Sequence, residues 1–271
     1  MTSVHKIGKT NRTTAFLSSL LAFNLLSMSS AFAALQVIDT GLGVLDTSTN
    51  LEWTQNANLF GTLSATDPNL VSKIIASVGG IIHDTPNLND PTGAYTLKAT
   101  DFIGNGRGQL DWWGAQAWVG YLNSIDYAGH NDWRLPITAP VNGVTFNYNF
   151  SNNGSTDYGN GISSPQSELG HLFYSSLGNQ ANASGLQSGP FGNLQASEYW
   201  SGTEYALQPY SAWFLNYGSG LQSYSGSKIF LGVYAWAVRP AVVPIPASVW
   251  LFGSAGAGLI GVFGRRRKIA L

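Results

Sequence analysis

Apolar residues recur at intervals of three and four along parts of this chain and at intervals of two along others. Ala115, Trp118, Val119, Leu122 and Ile125 fall on one helical face. They predict a helix over 111–125 with Asp111 at its N-cap or first turn, and Gly129 closes the region. Leu169, Leu172, Phe173 and Leu177 form a second stripe; Ser164-Pro165 supplies an N-cap and an N1 proline, and Gly178 ends it. Between 58 and 108 the pattern thins. Val71, Ile74, Ile75 and Val78 predict one short helix over 70–78, stopped at Gly79-Gly80, within a long turn-rich excursion over the surface.

Residues 37–54 read as a hairpin whose polar turn runs from Thr47 to Asn50 and whose second arm, Leu51-Glu52-Trp53, alternates apolar and polar. Pro136 keeps Leu135 extended in Asp132-Trp133-Arg134-Leu135-Pro136. Thr145 to Phe150 alternates inside the polar stretch 137–163 and predicts an edge strand. After 199 the period is two. Tyr199–Thr203, Ser211–Tyr217 and Val233–Pro240 predict three strands, the last two an antiparallel pair, with turns at 216–220 and 223–227. Two helices followed by a small antiparallel sheet, with one strand lent by the N-terminal end, is an α+β arrangement.

The two ends have a different character. Lys6, Lys9 and Arg12 precede an apolar run from Ala15 to Met28, and Ala31-Phe32-Ala33 is an A-x-A site. This predicts a signal peptide over 1–33, cleaved by signal peptidase at Ala31 and Ala33, and a mature domain over 34–242. At the other end Pro244-Ile245-Pro246 leads into an uncharged run and then Arg265, Arg266, Arg267 and Lys268. A helix over 247–264 can cross a bilayer core of about 30 Å at about 1.5 Å per residue, with the basic cluster on the cytoplasmic side.

That tail, 243–271, resembles the PEP-CTERM sorting signal in its VPxPA-type form, with Ile245 where the family usually has Glu. The resemblance implies a Gram-negative exported protein, held transiently in the inner membrane, handed to an exosortase-like transpeptidase and then placed at the cell surface or outside. A plain membrane anchor is the simpler alternative.

Removing both ends changes the charge. The whole chain carries −1, but the mature stretch has six Lys and Arg against fourteen Asp and Glu, or −8. An acidic domain repels phosphate backbones, so nucleic acid is not expected as a partner. There is no Cys, which excludes disulfides, thiol catalysis, Cys-ligated zinc and iron–sulfur clusters. Eight of the nine Trp lie in the mature stretch, so it reads as an aromatic, loop-rich globule and not as a disordered chain.

Asp46-Thr47-Ser48-Thr49-Asn50-Leu51-Glu52-Trp53, Asn131-Asp132-Trp133-Arg134-Leu135-Pro136, Ser167-Glu168-Leu169, Tyr199-Trp200-Ser201-Gly202-Thr203-Glu204, Ala212-Trp213 and Ala235-Trp236-Ala237-Val238-Arg239-Pro240 stand in the order of the motifs of the Lcl C-terminal domain family, which the chain resembles over 39–240. The family is named for a collagen-like bacterial adhesin. The resemblance implies a C-type-lectin-like fold, also similar to formylglycine-generating enzymes, with 58–108 and 137–163 as insertions. Formylglycine generation needs Cys, so that chemistry is excluded.

Candidate chemistry is sparse. No nucleophile elbow, zinc-protease or phosphate-loop pattern occurs, and Gly104-Asn105-Gly106-Arg107-Gly108 lacks the Lys-Ser/Thr of a phosphate cradle. His83, His130 and His171 are scattered in sequence. Glu168 and Glu204 are the carboxylates to weigh for acid/base work, and the resemblance makes them framework residues instead. Arg134 is expected in a structural ion pair, and Arg239 is singled out with it because cations are so few. Asn/Asp-rich loops at Asp84–Asp90 and Asn152–Asp157 are unspecific calcium candidates. Tyr205, Tyr210 and Tyr217 are the candidate glycan contacts, because aromatic faces stack on sugars. The expectation is a non-enzymatic cell-surface or extracellular-matrix protein associated with exopolysaccharide, with no catalytic residue, cofactor or metal. A carbohydrate-binding adhesin is the alternative, and a glycan-active enzyme comes third.

Overall fold

The computed structural model describes residues 35–104 and 106–241. The chain starts with β1 (Leu35–Ile38), β2 (Gly43–Asp46) and β3 (Leu51–Thr54), an antiparallel meander that covers the predicted hairpin and adds a strand to it. β14 (Val238–Pro240) returns from the far end of the sequence to pair with β3, giving a four-stranded sheet in the order β1-β2-β3-β14.

The stretch 58–108 is not a surface excursion. It forms α1 (Leu59–Ser64), α2 (Leu70–Ser77), the hairpin β4 (Ile81–His83) and β5 (Ala94–Thr96), and the short strand β6 (Phe102–Ile103), which pairs with β7 (Gln109–Leu110) just beyond it. Phe60, Leu70 and Ile74 from this stretch are buried against α3 (Trp112–Ser124) in the first hydrophobic core, with Trp118, Trp133, Trp200 and Phe214. Asp111 caps α3, and its Oδ1 accepts from the Gly114 N–H at 2.7 Å.

The edge strand of 137–163 shrinks to β8 (Phe150–Ser151), parallel to β9 (Tyr158–Gly159). The second helix starts three residues later than expected. Ser167, not Ser164, caps α4 (Glu168–His171), and the helix widens into a π turn at Leu172–Ser176. Of the three late strands, β10 (Glu198–Glu204) and β11 (Ser211–Asn216) stand as expected. The turn expected at 223–227 is instead a strand, β12 (Gln222–Ser227), paired with β11. The run Val233–Pro240 breaks in two. β13 (Val233–Tyr234) lies parallel to β10, while β14 belongs to the other sheet.

The eight-stranded sheet has the order β6-β7-β13-β10-β11-β12-β9-β8. Side chains alternate across it. Ala212 and Phe214 face the first core, whereas Leu215 joins Trp53, Phe173, Tyr199, Tyr217 and Trp236 in a second core.

These findings correct the expected fold class. Among the described residues there are fourteen strands in sheets of eight, four and two, and four α-helices of which only α3 exceeds eight residues. A C-type-lectin-like α+β domain with two helices and a small antiparallel sheet does not describe this strand-dominated fold. No helix among the described residues is long and apolar enough to cross a membrane. The transmembrane helix expected over 247–264 falls outside those residues, as do Ala31, Ala33 and the sorting residues Pro244, Ile245, Pro246, Arg265, Arg266, Arg267 and Lys268.

Candidate functional site

Trp213 on β11 points away from the first core and belongs to neither core cluster, yet it is fully buried. What covers it is the insertion 137–163. Asp157 makes this possible: its two carboxylate oxygens accept from the Val141 and Asn147 N–H groups, each at 2.6 Å, folding the loop on itself, while its carbonyl accepts from Gln222 Nε2 of β12. Phe146 then stacks on Trp213 with ring centroids 5.0 Å apart, and Tyr148 lies beside it.

Around this stack the sheet presents tyrosines. Tyr148 meets Tyr205 at 5.1 Å and Tyr224 at 5.2 Å, and Tyr205 meets Tyr224 at 4.5 Å. Tyr158 packs on Tyr224 and Phe150 on Tyr158, and Phe150 is an exposed large apolar side chain. Burial, then the neighbouring Tyr205, Asp157 and Tyr224, raises the Tyr148 phenol above its ordinary value. Burial, then Tyr224 and Tyr210, does the same to Tyr205. The Tyr148 and Tyr205 hydroxyls therefore stay protonated. The face offers flat rings with phenol donors and acceptors among them, a chemistry that suits sugar C–H faces and hydroxyls.

Of the candidate glycan contacts, Tyr205 belongs to this cluster but is buried beneath its outer rings, 8% exposed. Tyr210 stands at its border, half-buried, with its hydroxyl on Gln208 at 2.8 Å. Tyr217 does not join them: it is 1% exposed in the second core, and its hydroxyl donates to the Leu169 carbonyl. Tyr158 and Tyr224 were missed because they lie in Asn-, Ser- and Gly-rich segments with no apolar periodicity to mark them as strands, and Tyr148, although inside the predicted edge strand, was not singled out because nothing in its spacing ties it to the late strands.

The other side of the same strands is held by a buried cation. Lys228 directly follows β12 with a side chain 0% exposed, its Nζ 2.5 Å from Asp84 Oδ2 and 2.8 Å from Glu204 Oε1, over the Trp112 ring at 4.3 Å. Burial acts upward on Glu204, but Lys228 and Thr85 outweigh it and hold the carboxyl below its ordinary range. Glu168 is engaged likewise: Arg134 Nη1 and Nη2 each donate to one of its oxygens at 2.7 Å. Arg134 thus forms the expected ion pair, and Glu168 and Glu204 are each paired with their own cation. Arg239 donates to Glu52 and to Asp132. The calcium-candidate loops turn their acids inward, Asp84 to Lys228, Asp157 to backbone, and Asp90 to Thr92. His83 is exposed. His171 bonds Ser48 and the Ser163 carbonyl, and His130, 91 positions from Asp39 in sequence, comes within 2.9 Å of it.

The family model described as the Lcl C-terminal domain matches residues 43–239. No curated protein and no solved structure matches the chain.

Proposed function

Because the chain belongs to the Lcl C-terminal domain family, we propose that it is an exported cell-surface or extracellular-matrix protein that holds neutral polysaccharide against its tyrosine face without transforming it. Family membership supports a secreted or surface-associated role. The observation that carries the ligand class is the tyrosine face itself, in which half-buried Tyr148, Tyr158 and Tyr224 gather over buried Tyr205 and Trp213, outside both cores. Charge supports a neutral ligand: four of the six cations of the mature stretch are engaged by carboxylates, namely Lys73, Arg134, Lys228 and Arg239. The pairing of Glu168 with Arg134 and of Glu204 with Lys228 supports binding over glycan hydrolysis, which needs two carboxyl groups facing one bond.

Glycan-array binding of the purified protein tests this. Binding to a neutral glycan should survive high salt and weaken at least about tenfold in Tyr148→Ala and Tyr224→Ala, the loss of about 1.4 kcal/mol expected for one stacked ring. Tight heparin binding that fades with salt would overturn the reading. Binding unchanged in both variants would move the sugar to the amide-lined hollow between Asn58, Gln109, Asn193 and Gln195.

The proposed route to the surface rests on the signal segment, cleaved after Ala33, and on the tail read by an exosortase-like transpeptidase at Pro244-Ile245-Pro246 and Arg265–Lys268. Neutral residues at Arg265, Arg266, Arg267 and Lys268 should block processing and mislocalise the protein. Release and processing like wild type would sink the sorting reading.

A further inference from the structure

At the start of the fold the backbone turns sharply. Asp39 and Thr40 both take left-handed φ values, 51° and 55°, before Gly41 at 96°. Non-glycine residues seldom adopt this region, and two in succession mark a turn that the surroundings must hold. The turn sets the Asp39 carboxylate over β3, where it meets Glu52. His130 arrives from the loop before Trp133.

The three donors lie within 4.8 Å of one another. His130 Nε2 is 2.9 Å from Asp39 Oδ2 and 3.7 Å from Glu52 Oε2. Two ligands held about 2.1 Å from one ion stand roughly 3–3.5 Å apart, so the spacing needs little adjustment. The Glu52 side chain is 2% exposed, and its Oε1 is buried without a hydrogen-bond partner. A Cβ on Gly43 would collide with that oxygen, so glycine there is what leaves the carboxylate its room. Glu52, Asp39, His130 and Arg239 line a cavity of about 300 Å³. Asp39, Glu52 and Asp132 gather around the single guanidinium of Arg239. Two neighbouring carboxylates, one buried oxygen without a hydrogen-bond partner and an imidazole make a donor set suited to a metal ion.

We propose that Asp39, Glu52 and His130 bind one divalent first-row metal ion, for which zinc and manganese best match a donor set of two carboxylates and an imidazole. The ion joins the turn after β1, the strand β3 and the loop before Trp133, in a cavity that Arg239 and Ala241 also line. It clamps the turn after β1 to β3 and to the loop that carries His130. This site is separate from the tyrosine face and stands or falls independently of the glycan reading.

The test uses the full-length protein, stripped with EDTA and titrated with zinc chloride and manganese chloride by calorimetry and thermal melting. One ion per chain should bind, and at a hundredfold excess over Kd the melting midpoint should rise by several degrees. Asp39→Asn and His130→Gln should each weaken binding at least tenfold, while His171→Gln and His83→Gln leave it unchanged. Both folded variants are checked by their melts without metal, so lost binding is not mistaken for lost structure. Should one of them fail to fold, His130→Asn in its place keeps the comparison. Absence of heat and of any midpoint shift with both metals overturns the proposal. So does equal affinity in the Asp39 and His130 variants, which would mean an adventitious ion only.

Discussion

Arg134 and Lys228 are both cations set between elements, but they work in different regions of the molecule. Arg134 joins the segment before Pro136 to α4 through a forked pair with Glu168, and 30% of its side chain remains exposed. Lys228 ties β12 and β10 to the insertion at Asp84 and is fully enclosed, as is Asp84. An exposed pair trades water for a partner at little net gain, whereas a fully buried one cannot lose a member without stranding a charge. The insertion is therefore fixed by the more consequential of the two pairs, although the framework motifs carry the more conspicuous one.

The largest expected effect follows from this contrast. Lys228→Met strands Asp84, whose Oδ1 already lacks a partner, and should cost about 3–5 kcal/mol in chemical denaturation. Arg134→Met should cost only about 1–2 kcal/mol. Equal losses would erase the distinction between the two regions.

Next in size is the packing of the insertion. Phe60 of α1 lies 5.6 Å from Trp118, and both are essentially unexposed. Phe60→Ala should therefore cost about as much as Trp118→Ala or Trp133→Ala in the framework, about 3–5 kcal/mol each. A loss under about 1 kcal/mol for Phe60→Ala alone would return 58–108 to the surface. Reductant should change none of these midpoints, because the chain has no Cys.

The smallest effect sits at the seam between the regions. Asp111 follows the insertion, takes a backbone bond to Asp101 and caps α3. Burial, reinforced by the nearby Asp101 charge, pushes its carboxyl up to about 8 against the Gly114 and Trp113 amides, which pull it down. The folded state then keeps a proton that the unfolded chain releases near 3.8. This contribution is full below that value and disappears as pH rises toward 8, so stability should decline across that interval by on the order of 1–2 kcal/mol. Asp111→Asn keeps the capping acceptor and should flatten the decline, while Asp111→Ala should lose the cap at every pH. A slope unchanged in Asp111→Asn would assign it to another group.

The framework was legible because its signals are long or strongly typed. The α3 stripe and the Asp111 cap, the β2–β3 alternation and an ion pair at Arg134, though not its partner Glu168, all read from the chain. The insertion was not, because α1 spans six residues and β4 to β7 two or three each, too short for a period to show. β12 reads Gln-Ser-Tyr-Ser-Gly-Ser, and only its pairing with β11 and β9 makes it a strand. The split of Val233–Pro240 between two sheets leaves no mark in a continuous apolar run. Of the candidate site, Tyr205 was legible from its aromatic setting. Tyr148, Tyr224 and the Asp39–Glu52–His130 cluster depend on contacts between distant segments, which local spacing does not encode.

One consequence of the four-stranded sheet concerns mechanics. Leu35, Asp46, Leu51 and Pro240 are successive partners in one row across it, so the chain comes in and goes out along the same end of the sheet, about 14 Å apart at the usual strand spacing. Tension between the two continuations acts across the strands, opening their pairings one after another like a peeled strip instead of shearing them together. On the C-terminal side the first pairing to yield is Pro240 with Leu51, and the second is Arg239 with Glu52. There the guanidinium, gripping Glu52 and Asp132, is the catch that a pull on this side must release before β14 comes away.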